Sequence, residues 1–209
     1  MKKVKRIGLM GGTFDPIHFG HLVTAESARV KYNLDKVVFI PSGNPPHKKE
    51  RIISPANHRM EMTLLATVTN PFFSISDIEV ARPGYSYAYD TVCAFRERFG
   101  DDSELFFITG ADAMMEILTW KEVDKLMRKC FFIAATRPDF GLEMTEALPP
   151  EYRSRISIME IPALAISSSD IRKRCAEGDS IKYLLPESVE TYIYKYGLYK
   201  LPDNAEGEC

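Results

Sequence analysis

The sequence predicts a doubly wound α/β fold, with one sheet of about five or six parallel strands and helices on both faces. Three observations point to it. Short β-branched or aromatic runs recur along the chain, segments of helical periodicity separate most of them, and 209 residues suffice to bury the core of one such domain. Strands that alternate with helices pair in parallel through right-handed crossovers, which place helices on both sheet faces.

In chain order, RIGLM (6–10) reads as the first strand and 19–32 as a helix. KVVFIP (36–41) is the second strand. The turn-rich PSGNPPHKKERIISP (41–55) reads as a mobile surface loop, and 56–69 as a helix with Met60, Leu64 and Leu65 along one face. FFSISDIEV (72–80) reads as a strand, 86–99 as a helix, ELFFIT (104–109) as a strand and 112–128 as a helix. CFFIAAT (130–136) and RISIMEI (155–161) are the last strands, and helices over 168–176 and 187–196 follow. No internal repeat or interdomain linker divides 1–200, which reads as a single domain, and the polar tail 201–209 is expected to fray.

Composition narrows the function classes. A hydrophobic fraction of 45% and a charged fraction of 27% are those of a globular protein. The net charge of −2 supplies no global attraction to nucleic acid or a membrane surface, so an anionic ligand must be held by a local cluster. Cys93, Cys130, Cys175 and Cys209 are far apart and form no C-x-x-C pair, which fits free thiols in a reducing cytoplasm. The basic then apolar start, MKKVKRIGLM, is too short in its apolar part for a signal peptide, and no segment is long enough to span a membrane.

The densest chemistry follows the first strand, in GGTFDPIHFGH (11–21). Gly11 and Gly12 would let a phosphate approach bare backbone, and Asp15-Pro16 turns the chain. With a helix starting around 17–20, His18 and His21 fall at i and i+3 on one face of its first turn, where unpaired N–H groups and the helix dipole favour an anion. Imidazole titrates near about 6.5, and a phosphate beside it favours the cation. A tight turn carrying two surface histidines is the plainer alternative. The dinucleotide fingerprint G-x-G-x-x-G and the P-loop are both absent, which disfavours a dehydrogenase and P-loop chemistry.

A second cluster, ISSSDIRKR (166–174), follows the last predicted strand and opens another helix. Ser167 with Asp170 is a capping pattern sufficient to explain the serines, yet Ser168, Ser169 and Arg172 also suit phosphate oxygens. Two helix N-termini at the carboxyl ends of strands suggest a triphosphate lying between them.

His18-Phe19-Gly20-His21 resembles the (H/T)-x-G-H signature of the nucleotidylyltransferase superfamily, and 166–172 resembles its I-S-S-x-x-I-R partner. Within that superfamily the chain is similar to the nicotinate mononucleotide adenylyltransferase family. Supporting segments are NPPHK (44–48), SYAYDT (86–91), ITGADA (108–113), Trp120 and YLLPESVETYIYKYGLY (183–199), so the resemblance covers nearly the whole chain.

The resemblance implies a Rossmann-like fold, with 166–200 a helical part that completes the ATP site. It implies adenylyl transfer from ATP to nicotinate mononucleotide, with release of pyrophosphate. For ATP it assigns the backbone of Gly11, Gly12, Thr13 and Phe14, the imidazoles of His18 and His21, the Gly110 and Asp112 turn for the ribose, and Ile166, Ser168, Ser169 and Arg172 for the triphosphate. His18, His21 and Arg172 would be catalytic. For the mononucleotide it assigns Asp15, Lys48, Ala88, Tyr89, Trp120 and Arg137, with His47 also near phosphate. Mg²⁺ is expected on the phosphates, with no metal held by protein ligands. No partner other than these small molecules is implied, and a homodimer is left open. The family usually reads S-Y-T-x-D-T, whereas Ala88 stands here in place of that threonine.

Other readings of single residues stay open: Trp120 as core packing, Asp112 as a helix cap, and Arg59 and Lys48 as solvated charges. The rival chemistries are pantetheine-phosphate and cytidylyl transfer, which share the two phosphate motifs. A nucleotide-binding regulatory protein would need neither histidine.

Overall fold

Among the described residues, the apolar runs become six strands: β1 (Arg6–Gly12), β2 (Lys36–Pro41), β3 (Phe73–Ile75), β4 (Glu104–Gly110), β5 (Phe131–Thr136) and β6 (Ile156–Glu160). They pair in parallel in the order β3-β2-β1-β4-β5-β6. The computed structural model describes residues 4–46, 53–136, 149–162 and 164–200.

The central strands are apolar at nearly every position because both faces are covered. Alternate side chains enter two different cores. Val37, Phe39, Phe106, Ile108 and Ile133 pack against α1 (Phe19–Lys31), α2 (Ala56–Thr67), α7 (Ser168–Glu177) and α8 (Glu187–Lys195). Val38, Ile40, Leu105, Phe107 and Phe132 pack against α3 (Ala88–Phe99), α4 (Ala111–Met115), α5 (Val123–Lys129) and α6 (Pro150–Arg153). Each fully buried Ile, Leu or Phe contributes about 1.5–3 kcal/mol. The helices of 168–195 share the first core through Ile171, Val189 and Ile193.

Two elements depart from the periodicity. The strand expected over 72–80 stops at Ile75, and Asp77–Ala81 closes a turn in which the Ala81 N–H donates to the Asp77 carbonyl at 2.8 Å. The helix expected over 112–128 is broken into α4, a tight 3-10 turn at Ile117–Thr119, and α5. Glu122 adopts a left-handed φ of 54° just before α5, a conformation that ends helical continuity.

The topology opens a crevice. From β1 the chain moves outward to β2 and β3, then crosses over to β4, β5 and β6, so the strand order switches between β1 and β4. Pairing of β1 with β4 ends at Met10 opposite Ile108. Beyond that point β1 continues beside β2 to Gly12, and β4 continues beside β5 to Gly110. The two central strands therefore part at their carboxyl ends, which is where sheets of this type bind ligands.

Candidate active site at the switch point

Both motif glycines have an internal cause that the sequence did not disclose. A Cβ on Gly12 would sit 2.8 Å from the Phe14 ring, and one on Gly11 would sit 3.1 Å from the Phe107 ring. These rings are a second reason for glycine at both positions, and both glycines line the crevice cavity. Phe14 holds a left-handed φ of 50°, a strain of about 1–3 kcal/mol for a residue with a side chain. Its buried ring packs edge-on to His21 at 5.1 Å and against Phe39 at 5.8 Å, which offsets that strain.

His18 is the N-cap of α1, and His21 lies one turn in. The His21 Nδ1 accepts the His18 backbone N–H at 3.2 Å, so the proton of a neutral His21 ring resides on Nε2. The rings lie close, with centroids 3.8 Å apart and planes tilted by 32°. Gly20 is required between them, since a Cβ there would fall 3.0 Å from the His18 ring. His18 is buried, and desolvation lowers its pKa to about 4. The sequence suggested two imidazolium clamps. His18 is neutral at pH 7, because burial strips water from the ring and disfavours its charged form.

The second motif is anchored to the first. Ser167 caps α7 by accepting the Asp170 N–H at 3.1 Å, as the S-x-x-D pattern predicts. The Asp170 carboxylate pairs with Arg174 at 2.9 Å. Ser168 donates to the Pro16 carbonyl at 2.9 Å, and Arg172 donates through Nη1 to the Asp15 carbonyl at 2.7 Å. Ser169 Oγ lies 3.0 Å from Ser167 Oγ, and Ile166 packs on the first core. The two helix N-termini are therefore bound to the same turn, although 150 residues of chain separate them.

Beneath this turn lies a polar knot. The Asp15 carboxylate is buried and accepts from the Tyr199 hydroxyl at 2.8 Å and the Ser54 N–H at 3.2 Å. Burial and the neighbouring Asp15 carboxylate raise the Tyr199 pKa. Arg59, with the solvated charge as one reading of the sequence, is 1% exposed. Its guanidinium donates to the carbonyls of Ser54 at 2.9 Å, Thr13 at 2.8 Å and Gly43 at 3.4 Å. These three carbonyls explain why a cation is tolerated inside: each of the three guanidinium nitrogens donates to an acceptor.

The crevice holds a cavity of about 280 Å³ lined by Gly11, Gly12 and Thr13 on one side and by Ser86–Ala88 and Thr119–Lys121 on the other. Trp120 satisfies both of its readings. Its ring packs edge-on to Phe107 at 5.8 Å and Phe132 at 6.3 Å, and it also lines the cavity. Ala88 is the first residue of α3, whose N-terminus has no side-chain cap. Gly110 is the N-cap of α4 and is exposed with Asp112 in the first turn, so Asp112 is not the cap. Tyr89 is placed elsewhere: its hydroxyl bonds Cys93 and the side chain lines a different cavity. Asp15 is likewise turned into the knot rather than the crevice. Lys48, His47 and Arg137 lie outside the described residues.

Ser42, Glu79, Phe107, Thr109 and Lys121 line the cavity and were not singled out in the sequence. They come from four separate segments, since Phe107 and Thr109 share β4, and no local spacing marks the set. A larger cavity of about 570 Å³ lies toward the amino ends of β4 and β5, lined by Arg96, Lys125, Arg128 and Arg155 among others. Of those cations, Arg96 is bonded to the Ser103 carbonyl at 2.5 Å, Lys125 is paired with Glu122 at 2.9 Å, and Arg155 lies over the Phe131 ring at 4.8 Å.

Among the described residues, no group of three His, Cys, Asp or Glu side chains is arranged to hold a metal ion. The Asp15 carboxylate is engaged by Tyr199 and Ser54, and the Glu79 carboxylate by Thr91 and Ser86. This donor set does not fit a Mg²⁺ held by protein ligands.

A protein-family model described as cytidylyltransferase-like matches residues 9–174. A protein of Moorella thermoacetica described as a probable nicotinate-nucleotide adenylyltransferase is 58% identical over 199 residues, which cover 93% of this chain and 92% of the relative. One of Thermoanaerobacter sp. with the same description is 55% identical, with 96% and 97% covered. The solved structure of Plasmodium falciparum nicotinic acid mononucleotide adenylyltransferase complexed with NaAD matches the fold with a TM-score of 0.76 at 22% identity, covering 93% of this chain and 97% of that one. With more than half of its residues shared with such relatives across almost its full length, the chain belongs to the nicotinate-nucleotide adenylyltransferase family.

Proposed function

We propose that the protein transfers the adenylyl group of ATP to nicotinate mononucleotide, giving nicotinate adenine dinucleotide and pyrophosphate. The observation that carries this reading is the pair of helix N-termini joined through Ser168–Pro16 and Arg172–Asp15 beside an open crevice at the strand switch. A phosphate oxygen of the mononucleotide attacks the α-phosphorus, a new P–O–P bond forms, and the bond to the β-phosphate breaks as pyrophosphate leaves. That oxygen is already ionised at neutral pH, so the step needs no general base.

The work of the chain is placement and charge stabilisation. The backbone of Gly11, Gly12, Thr13 and Phe14 and the turn at Gly110 and Asp112 hold the adenosine. The His21 Nε2–H, the neutral His18 ring, the Ser168 and Ser169 amides and the remaining N–H groups of Arg172 surround the triphosphate. The neutral His18 imidazole donates a hydrogen bond to developing negative charge without being a cation in the free enzyme. On the acceptor side, the first-turn amides of α3 at Ala88 and Tyr89 take the nicotinate carboxylate through backbone, so the absence of a threonine hydroxyl at position 88 leaves that contact intact. Trp120 offers its ring to the pyridine. Mg²⁺, carried on phosphate and water oxygens, would neutralise charge on the phosphates.

The test is to supply ATP labelled at the α-phosphorus together with nicotinate mononucleotide. Label is expected in the dinucleotide, and label at the β-phosphorus in pyrophosphate. Release of inorganic phosphate or AMP without dinucleotide would refute the reading.

A further inference from the structure

The wall of the crevice opposite the glycines is held by one buried acid. Glu79 is 6% exposed, and its Oε1 accepts from the Thr91 hydroxyl at 2.6 Å. Thr91 is fully buried and accepts in turn from Arg82 at 3.0 Å, so its single proton is committed to Glu79. The Ser86 hydroxyl also bonds the Glu79 carboxylate. Its oxygen accepts the N–H groups of Gly43 at 3.0 Å and Asn44 at 3.2 Å, which leaves its proton for Glu79. The Ser86 N–H donates to the Asn44 carbonyl at 2.9 Å. Main chain touches main chain here as well, because a Cβ on Gly43 would fall 2.2 Å from the Glu79 carbonyl oxygen.

We propose that Glu79 is a positioning residue for the acceptor: its carboxylate, through Ser86 and Thr91, clamps the Ser42–Asn44 loop to the start of α3 and so fixes the wall against which the mononucleotide lies. This rests on the acceptor reading of the crevice given above. The residues clamped are those that line it, Ser42, Ser86, Tyr87 and Ala88. The acid does not serve as a ligand. Its lone pairs are turned to two hydroxyls, and an exposed carboxylate would repel an acceptor that carries both a carboxylate and a phosphate. Burial pushes the Glu79 carboxyl above the ordinary range, and the Thr91 and Ser86 hydroxyls and the Arg82 charge pull it back. The acid therefore depends on the same bonds that make the clamp. In the functional reading above the triphosphate lies against α1 and α7, and none of their residues takes part in the clamp.

The experiment compares Glu79→Ala, Glu79→Gln and Ser86→Ala with the wild type by steady-state kinetics and amide hydrogen exchange. Glu79→Ala is expected to raise the KM for nicotinate mononucleotide by about tenfold or more while the KM for ATP stays within about twofold, because buried donors lose their acceptor on one side of the site only. Glu79→Gln retains one acceptor oxygen and opposes one donor, so an intermediate rise of about threefold to fivefold is expected. This decides the question if the alanine variant does not fold. Exchange at the Gly43 and Asn44 amides is expected to quicken in all three variants, and the fluorescence of Trp120, the single tryptophan, reports acceptor affinity apart from turnover. An unchanged acceptor KM, an equal loss in both KM values, or unaltered exchange at Gly43 and Asn44 would overturn the proposal. If the wild type made no dinucleotide, the functional reading would fail, and the exchange data would still judge the clamp.

Discussion

Around the parting of β1 and β4, the side proposed for the adenylyl donor is held by short bonds between two sequence motifs, whereas the side proposed for the acceptor is an open cavity whose walls come from several separate segments. On the donor side, His21 closes on the His18 amide, Ser168 and Arg172 reach the carbonyls before α1, and Arg59 and Tyr199 lock the turn from below. On the acceptor side, Ser42, Glu79, Ser86, Phe107 and Trp120 enclose about 280 Å³ that internal bonds leave unfilled. The difference teaches where each kind of function resides. Phosphate chemistry needs donors fixed before the substrate arrives, and a bound nucleoside needs a shaped vacancy.

The largest expected effect breaks the donor side. His21→Ala removes a donor aimed at charge that grows in the transition state, and kcat should fall by roughly 10²–10³, about 3–4 kcal/mol. The same change leaves the His18 N–H without its acceptor, so unfolding stability should drop by about 1 kcal/mol, the scale of a lost helix cap. Stopped assays of dinucleotide formation and urea unfolding read the two separately. Near-normal turnover in a folded His21→Ala protein would return the motif to a tight turn with no catalytic part.

A second effect comes from the burial of His18. Its folded pKa of about 4 lies below the ordinary 6.5, so between those values the unfolded chain takes up a proton that the folded chain refuses. The stability this residue contributes is complete above pH ~6.5 and declines as the pH falls toward 4, by up to about 3 kcal/mol. His18→Asn should flatten that part of the stability profile. Urea titrations of both proteins from pH 7.5 to 4.5 check it, and parallel profiles would contradict the neutral, buried imidazole.

The same contrast sets what the sequence disclosed. GGTFDPIHFGH and ISSSDIRKR are contiguous, so their residues could be read together, and short β-branched and aromatic runs revealed the strands, whose two faces enter two cores. The causes inside the motifs were hidden. Gly12 answers to the ring of Phe14, and Gly20 to the ring of His18, contacts that no spacing announces. Arg59 lies in a helix and Tyr199 ends the segment 183–199, yet they meet Thr13 and Asp15 because the fold brings their segments under one turn. The acceptor wall was illegible for the same reason. Glu79 falls in a run read as strand, and it matters only through Ser86, Thr91 and Gly43. Tyr89 shows the converse, since a residue inside the recognised segment SYAYDT turns its side chain away from the crevice.

A smaller effect sharpens the acceptor side. Trp120→Leu keeps apolar contact with Phe107 and loses the aromatic face, so the KM for the mononucleotide should rise about fivefold, the equivalent of ~1 kcal/mol. The rise should be the same for the nicotinate and nicotinamide forms, because a stacked ring does not sense the difference between carboxylate and amide. Kinetics with both substrates check it, and a change confined to one of them would place the discrimination at Trp120 instead of at the start of α3.

The measurement that bears most directly on the account is pyrophosphate release by the wild-type protein with nicotinate mononucleotide and with nicotinamide mononucleotide, each at saturating ATP. In the proposed reading, backbone N–H groups at Ala88 and Tyr89 would satisfy both oxygens of a carboxylate, whereas an amide would leave one buried donor unpaired at a cost of about 1–3 kcal/mol. The account predicts rapid release with the acid and kcat/KM at least about tenfold higher than with the amide. Equal efficiency with the two, or no release with the acid, would contradict it.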